Sequence, residues 1–257
     1  MRATCRLAEV AGFDAAAQRQ ALQSVLASRI AGIAVAPLDP TDLEPVIRRA
    51  TEGGVPVVTF ESDAEPSSAR LAFIGPEEVA TGSELGRLLL ELLPGGGTYA
   101  VLAADPRAPG SRARLAALRT GLAGRPFREL RGSPFATGHE PARAVQRAGE
   151  VLEQRELQAV VLLDGWALLE WSRYKAMVGR VRAKRTQLPL VIAFGVLQPA
   201  LRLVDEGLVA GLVGPRPHQL GTQLLRRLWD AKRDTEGIYP VGFQLITKGN
   251  VGLFLRR

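Results

Sequence analysis

The chain has 257 residues, of which 46% are hydrophobic and 23% are charged, and its formal net charge is +7 at pH 7. This composition excludes a disordered chain, and the length allows one large or two small globular domains. Cys5 is the only cysteine, which excludes an internal disulfide, and no run of about 18 apolar residues predicts a membrane-spanning helix.

Short apolar runs alternate with amphipathic segments along the whole chain. The clearest example joins the apolar run at 33–36 to a helix that Thr41 caps and Gly53 ends, followed by a second apolar run at 55–60. Strand, helix and strand of this length form a right-handed βαβ unit. The predicted strands are residues 1–10, 33–36, 55–60, 70–75, 99–103, 158–163, 190–194, 209–213 and 243–246. The predicted helices are residues 14–28, 41–53, 79–93, 112–122, 142–152, 166–181, 199–206 and 220–232.

Two interruptions of this pattern predict how the chain divides. The Pro-Gly-Gly-Gly run at 94–97 is the clearest linker, and we place the first crossing between two lobes there. Pro215 and Pro217 mark the return crossing. The predicted fold class is α/β, with two doubly wound, Rossmann-like lobes joined by a hinge. The predicted domains are a first lobe at residues 1–94 plus 216–236 and a second lobe at 97–214 plus 238–257.

Polar residues follow the strands of the βαβ unit. Ligands of parallel sheets bind beyond the carboxyl ends of the strands. Asp39, Glu61, Ser62 and Asp63 occupy those ends, so they are candidate binding groups. The alternative is that Asp39 caps a turn and Asp63 solvates a loop.

The sequence contains none of the common catalytic motifs. It has no G-x-S-x-G elbow, no phosphate-binding loop and no dinucleotide fingerprint, and its only histidines, His139 and His218, lie in turn-like settings. No Cys/His cluster indicates a metal. We therefore expect no enzyme, no catalytic residue, no cofactor and no metal site. The basic segment at 173–185 is interpreted as a solvated helix face, and no nucleic-acid partner is expected, because only Tyr174 offers an aromatic platform.

Several segments resemble one family. GIAVAPLDP and GVPVVTFESDAEPSSARLAFIG resemble the first lobe of type I periplasmic binding proteins, and ATGSELGRLLLELLPGGGTYAVL, LVDEGLVAGLVGPRPHQLG and ITKGNVGLF are similar to later parts of them. More narrowly, the chain resembles the sugar-binding branch related to ribose- and xylose-binding proteins. The resemblance implies the solute-binding protein of a sugar-type ABC import system, which binds a small polar ligand between two lobes by hinge closure. It implies an ABC permease or membrane receptor as partner. The alternative is a ligand-sensing or protein-interaction module of a signalling protein, with a degenerate sugar site.

The resemblance also implies ligand-binding roles for particular residues. Glu61 and Asp63 match acidic positions of the first lobe, and Arg114 matches an arginine that grips sugar hydroxyls. Gly195 and Pro215 stand where an aspartate and a glutamine are usual, so two hydrogen-bonding side chains are lost. The alternatives are that Arg114 is a solvated helix residue and that Trp166 packs in the core. The predicted ligand-binding residues are Glu61, Asp63, Glu77, Arg114, Asp164 and Trp166.

The resemblance places a further strand and helix ahead of residues 1–10, and the sequence does not contain them. We therefore expect residues 3–10 either to pair with the strand at 33–36 or to leave it an exposed edge. We also expect weak affinity for a free sugar. The family implies a periplasmic or cell-envelope protein, whereas the lack of a signal-peptide pattern implies a cytoplasmic one if Met1 is the true start.

Overall fold

The structure is a computed structural model that describes residues 4–8, 10, 14–64, 69–231 and 237–255. It divides the chain into two compact units, and the chain passes between them three times. Unit 1 comprises Met1–Pro76 and Arg216–Gly242, and unit 2 comprises Glu77–Pro215 and Phe243–Arg257. Each unit is a largely parallel sheet with helices on both faces, which confirms the prediction of two doubly wound α/β lobes.

The elements follow one another in the predicted alternation. The helices are α1 (Ala15–Leu26), α2 (Pro40–Glu52), α3 (Glu78–Leu92), α4 (Pro109–Leu122), α5 (Pro141–Leu152), α6 (Trp171–Arg182), α7 (Gln198–Asp205), α8 (Pro217–Trp229) and α9 (Gly252–Leu255), with a 3-10 turn at Trp166–Leu168. The strands are β1 (Ile33–Val35), β2 (Val57–Phe60), β3 (Ala72–Pro76), β4 (Gly97–Ala103), β5 (Phe127–Glu129), β6 (Phe135–Ala136), β7 (Ala159–Leu162), β8 (Leu190–Phe194), β9 (Gly211–Pro215), β10 (Gly237–Val241) and β11 (Phe243–Thr247).

Unit 1 is a parallel sheet in the order β1-β2-β3-β10. Successive residues of a strand face opposite sides, and β2 shows this directly. Val57 packs in the core under α1 and α2, whereas Val58 packs in the core under α8. Both side chains are fully buried, so the unit has a core on each face of its sheet.

Unit 2 is a larger sheet in the order β11-β9-β8-β7-β4-β5, and β6 also pairs with β4. All of these pairs are parallel except β11 with β9. Val160 of β7 packs in the core on the side of α5, α6 and α7, and Val161 packs in the core beneath α3 and α4. The four central strands therefore place their carboxyl ends side by side, where a ligand of such a sheet binds.

The structure corrects the predicted boundary of the first lobe, because residues 77–94 belong to unit 2. The reason is the packing of α3 against α4. A Cβ on Gly82 would lie 2.2 Å from the carbonyl oxygen of Arg114, so only glycine allows the two helices to approach this closely. Leu85 and Leu89 of α3 share a core with Tyr99. The first crossing follows Pro76, and the glycine run at 95–97 is a tight turn into β4.

Several predicted elements also needed correction. Residues 4–8 form no strand, and the rest of the predicted strand at 1–3 and 9 lies outside the described residues, as does the predicted helix end at Lys232. In the described part of the chain β1 pairs only with β2, so β1 is an edge. The predicted helix at 166–181 begins with a 3-10 turn, and the strands β5, β6 and β10 were missed because they are short or contain proline. None of the described helices is both long and apolar enough to cross a membrane.

Candidate functional site

Arg114 is held over the carboxyl ends of the central strands of unit 2. It projects from α4, and its guanidinium carbon lies 4.1 Å from the ring centroid of Phe194, the last residue of β8. Nη1 donates a hydrogen bond to the carbonyl oxygen of Leu163, one residue past β7. The side chain is only 11% exposed. The contact with the ring of Phe194, the hydrogen bond to the carbonyl of Leu163 and the low exposure together fix the orientation of Arg114.

Glu78 is the acid that neutralises Arg114. Its Oε2 lies 2.7 Å from Arg114 Nε, and its side chain is 24% exposed. Burial raises the pKa of the Glu78 carboxyl, and the charge of Arg114 lowers it in part. Burial likewise lowers the pKa of the Arg114 guanidinium, and the two acids Glu78 and Asp164 raise it in part. The guanidinium therefore sits in a compensated, partly desolvated cluster.

The sequence interpretation named Glu77, whose role as a ligand contact stays a prediction, and did not name Glu78. Glu77 is exposed, stands at the N-cap of α3 and makes no side-chain hydrogen bond to the helix. The helical phase separates the two residues: Glu78 lies four and seven residues before Gly82 and Leu85, both on the buried face of α3. That spacing is the signal that could have identified Glu78.

Asp164 joins Arg114 in the same cluster. Its Oδ2 accepts a hydrogen bond from the backbone N–H of Ala104 at 2.5 Å, and Oδ1 accepts one from the N–H of Trp166 at 3.3 Å. Burial raises the pKa of the Asp164 carboxyl, while these hydrogen bonds and the charge of Arg114 lower it in part. The structure thus brings two of the predicted site residues together at the ends of β4 and β7.

Trp166 lies beside this cluster but packs largely into the fold. Its ring is half-buried against the core on the side of α5 and α6. The edge of the ring meets His139, with centroids 5.4 Å apart and planes at 86°. This packing agrees with the alternative of a core tryptophan, and its role as a ligand contact stays a prediction.

In unit 1, Asp63 is the centre of a hydrogen-bonded loop after β2. Its two carboxylate oxygens accept from Arg70 Nε at 2.5 Å and Arg70 Nη2 at 2.6 Å. Thr59 Oγ1 and the N–H of Ala64 donate to the same carboxylate at 2.7 and 2.9 Å. The bidentate partner Arg70 is only 14% exposed, so this pair firmly joins Asp63 to the residue that precedes β3 by two positions.

Glu61 precedes that loop and has an unusual backbone. Its φ of 57° lies in the left-handed region, which a glutamate occupies at some cost in conformational energy. Its N–H donates to the carbonyl oxygen of Ile74 at 3.1 Å. The residue is exposed, although desolvation around its carboxyl still raises the pKa of that group.

Gly195 directly follows β8 and Pro215 is the last residue of β9 in unit 2, and neither offers a polar side chain. Gly195 has a φ of 111°, which favours glycine, and Pro215 lies inside β9, where it faces Phe243 of β11. The part of the chain that the structure describes contains no group of three or more His, Cys, Asp or Glu side chains able to hold a metal ion.

Two doubly wound α/β units, with a charged cluster at the strand ends of one of them, define the class of two-lobed binding proteins. The profile of the family described as periplasmic binding protein domain matches residues 2–235. The chain therefore belongs to that family. A comparison with curated protein sequences gives no significant match.

Solved structures with the same fold include three sugar-associated proteins. An arabinose binding protein from Geobacillus stearothermophilus is 21% identical, with a TM-score of 0.77 over 94% of this chain and 85% of that one. A solute binding protein from Burkholderia graminis in complex with D-arabinose is 22% identical, with a TM-score of 0.76 and coverages of 94% and 83%. One from Agrobacterium vitis with bound D-fucose is 19% identical, with a TM-score of 0.77 and the same coverages. At these identities the likeness establishes the fold.

Proposed function

We propose that this chain is the solute-binding protein of a sugar-type ABC import system and that it binds a small polar ligand, a sugar or sugar derivative. The observation that carries the proposal is the cluster of Arg114 and Asp164 at the strand ends of unit 2. A fixed guanidinium donates to hydroxyl oxygens and a fixed carboxylate accepts from hydroxyl protons. Each such charged hydrogen bond contributes about 1.5–3 kcal/mol.

The relatives support this ligand class and this partner. The fold is shared with proteins whose structures hold D-arabinose and D-fucose, and with a protein from Bacillus halodurans that is described as the sugar-binding protein of a sugar ABC transporter. We propose an ABC permease as the partner of this chain as well. We propose that it acts by binding rather than by catalysis and that it works in the periplasm, as the description of its family indicates.

The predicted residues take different parts in this proposal. Arg114 and Asp164 contact the ligand directly, and Glu78 holds the charge of Arg114 in balance. Glu61 offers a further acceptor from unit 1. The carboxylate of Asp63 is held by Arg70, so we propose a supporting role for it.

Direct titration tests the proposal. Calorimetry, with ligand-observed NMR for millimolar affinities, measures binding of D-arabinose, D-fucose, D-ribose and D-xylose. We expect at least one of them to bind, more weakly than micromolar, and Arg114→Ala to weaken that binding at least tenfold, because a charged hydrogen bond is lost.

Arg87→Ala is the matched control, because Arg87 likewise forms ion pairs with acids of α3, Glu84 and Glu91, yet is 49% exposed, and we expect this change to leave the affinity unchanged. No binding of any sugar would overturn the proposal and favour the alternative of a sensing or interaction module. Equal binding by the Arg114→Ala variant would remove the cluster from the site.

A further inference from the structure

The net charge of the chain lies in one of its two units. Unit 2 contains 21 Lys and Arg and 14 Asp and Glu, whereas unit 1 contains 12 of each kind. The whole formal charge of +7 therefore belongs to unit 2. Such an excess attracts an anionic partner most strongly where several cations share one surface.

Three connecting segments at the amino ends of the strands of unit 2 bring cations together in this way. They are residues 123–128 at the start of β5, residues 153–158 before β7 and residues 182–189 before β8. We call the cations of these segments the basic end: Arg125, Arg128, Arg155, Arg182, Lys184 and Arg185. The same segments contain only two acids, Glu153 and Glu156, so their net charge is +4.

Arg185 fixes two of these segments to each other. Its Nη1 donates hydrogen bonds to the carbonyl oxygen of Leu152 at 3.0 Å and to that of Gln154. Its Nη2 donates to the carbonyl oxygens of Leu157 at 3.0 Å and Arg155 at 3.4 Å. Four backbone carbonyls on one guanidinium make this part of the basic end a fixed surface.

Ion pairs use only part of the charge of the basic end. Lys184 Nζ lies 2.6 Å from Glu153 Oε1, and Arg128 Nη2 lies 2.7 Å from Glu156 Oε2. Both of these cations are still more than 60% exposed. Three other cations of the basic end are exposed and form no ion pair with any residue that the structure describes: Arg125, Arg155 and Arg182.

Helix dipoles offset only part of the excess. The helices α4, α5 and α6 end beside these segments, and each carboxyl end carries about half a negative charge. Three such ends compensate about 1.5 of the positive charges, which is less than half of the +4. The neighbouring connections add little, because residues 93–96 are uncharged and Glu206, before β9, is paired with Lys175 at 2.9 Å.

The chemistry of the basic end favours lipid headgroups over nucleic acid. Nucleic-acid binding surfaces combine cations with aromatic rings on which bases stack. Phe127 is the only aromatic residue of the three segments, and it is half-buried with its ring at an edge-on angle to Tyr99, centroids 6.3 Å apart. An anionic phospholipid surface needs only clustered, exposed Lys and Arg side chains.

We infer that the basic end of unit 2 binds an anionic phospholipid surface. Each basic side chain near such a surface strengthens binding about fivefold. The cluster of Arg114 and Asp164 lies at the opposite, carboxyl ends of the same parallel strands, so a chain bound through the basic end leaves that cluster uncovered. The inference goes beyond the proposed function and does not depend on sugar binding.

Cosedimentation of the full chain with vesicles tests the inference. One set of vesicles contains phosphatidylcholine mixed with phosphatidylglycerol, and the other contains phosphatidylcholine alone. We expect binding to the anionic vesicles only at about 0.1 M salt and its loss at about 1 M, because the screening length falls from about 10 Å to about 3 Å. No binding to anionic vesicles, equal binding to both sets, or binding that survives high salt overturns the inference.

Two triple variants locate the binding surface. The first removes the three unpaired cations of the basic end: Arg125→Gln, Arg155→Gln and Arg182→Gln. It should weaken binding to anionic vesicles at least tenfold. The control removes the same charge from exposed positions after β4 and in the first turns of α4 and α5: Arg107→Gln, Arg112→Gln and Arg143→Gln. It should weaken binding less than about threefold, because these side chains lie at the carboxyl ends of the strands.

Unchanged urea midpoints show that both triple variants are folded, as expected for exposed positions. Equal losses in the two folded variants would attribute binding to net charge alone and overturn the assignment to the basic end. A single-stranded oligonucleotide and polyglutamate are compared with the vesicles at the same salt and the same concentration of accessible anionic groups. Tighter binding of either polymer than of the vesicles would replace phospholipid by nucleic acid or an acidic protein as the partner and overturn the inference.

Discussion

Removing the charge of Arg114 should destabilise unit 2 because it leaves Glu78 without its partner. The test is Arg114→Met, which keeps an apolar stem against Phe194. The two side chains of the ion pair are 11% and 24% exposed. Deleting one partner of a buried ion pair costs about 3–5 kcal/mol, and the remaining exposure of Glu78 screens part of that, so we expect a loss of about 2–4 kcal/mol.

Two further variants separate the charge from general packing. Glu78→Gln added to Arg114→Met should recover at least half of the lost stability, because no uncompensated carboxylate remains. Arg87→Met is the control: Arg87 pairs with Glu84 and Glu91 on the exposed side of α3, where such pairs contribute about 0–1 kcal/mol.

The dependence of the free energy of unfolding on pH is an independent test of the same ion pair. Burial raises the pKa of Glu78 in the folded protein, and loss of Arg114 removes the charge that lowers it in part. A carboxyl whose folded pKa is raised binds more protons when folded, so lowering the pH favours the folded state. The deficit of Arg114→Met relative to the parent chain should therefore shrink as the pH falls from 7 toward the pKa of Glu78.

Urea unfolding followed by tryptophan fluorescence measures these effects. In a Trp229→Phe background both remaining tryptophans, Trp166 and Trp171, lie in unit 2, so the signal reports on that unit. The reasoning is refuted if Arg114→Met costs no more than Arg87→Met. It is also refuted if removing the carboxylate does not restore stability.

Three further predictions concern other carboxylates. Because burial raises the pKa of Asp164, the sugar affinity should begin to fall at a pH higher than the one at which an exposed aspartate takes up its proton. The Asp164→Asn variant should show a flatter dependence of affinity on pH. Calorimetry between pH 7 and pH 4 measures this, and a pH-independent affinity of the parent chain would contradict the prediction. Burial raises the pKa of Glu129, but the hydrogen bonds from Arg119 and other donors lower it more, so the net pKa is lowered. The stabilisation by this carboxylate is therefore present above the ordinary glutamate pKa and is lost on acidification. The free energy of unfolding of Glu129→Gln should fall less steeply with decreasing pH than that of the parent chain, and identical acid titrations would contradict this. Asp63→Asn should cost about 1–3 kcal/mol by breaking the bidentate bond to Arg70, and an unchanged urea midpoint in the unit 1 signal of Trp229 would contradict that.

The sequence alone determined the main alternation of strands and helices, because each strand and helix must bury an apolar face and this leaves a periodic pattern of apolar residues. The strand predicted at 190–194 is β8 with the same bounds, since an apolar run of that length between polar segments has few other ways to satisfy its backbone. The fold class and the choice of the strand ends as the candidate site followed from the same pattern. Arg114 and Asp164 were chosen from the family resemblance, and the structure brings them into one cluster.

Only the tertiary structure decided which surfaces meet. The sequence shows that α3 has an apolar face with Leu85 and Leu89, but an apolar face does not state which sheet it covers, and the close approach at Gly82 assigns it to unit 2. The partners of charged side chains are decided in the same way, since Asp63 finds Arg70 and Arg114 finds Glu78 across loops and helices. Hydrophobic periodicity is local along the chain, whereas ion pairs and helix contacts depend on distances in space that only the assembled core sets.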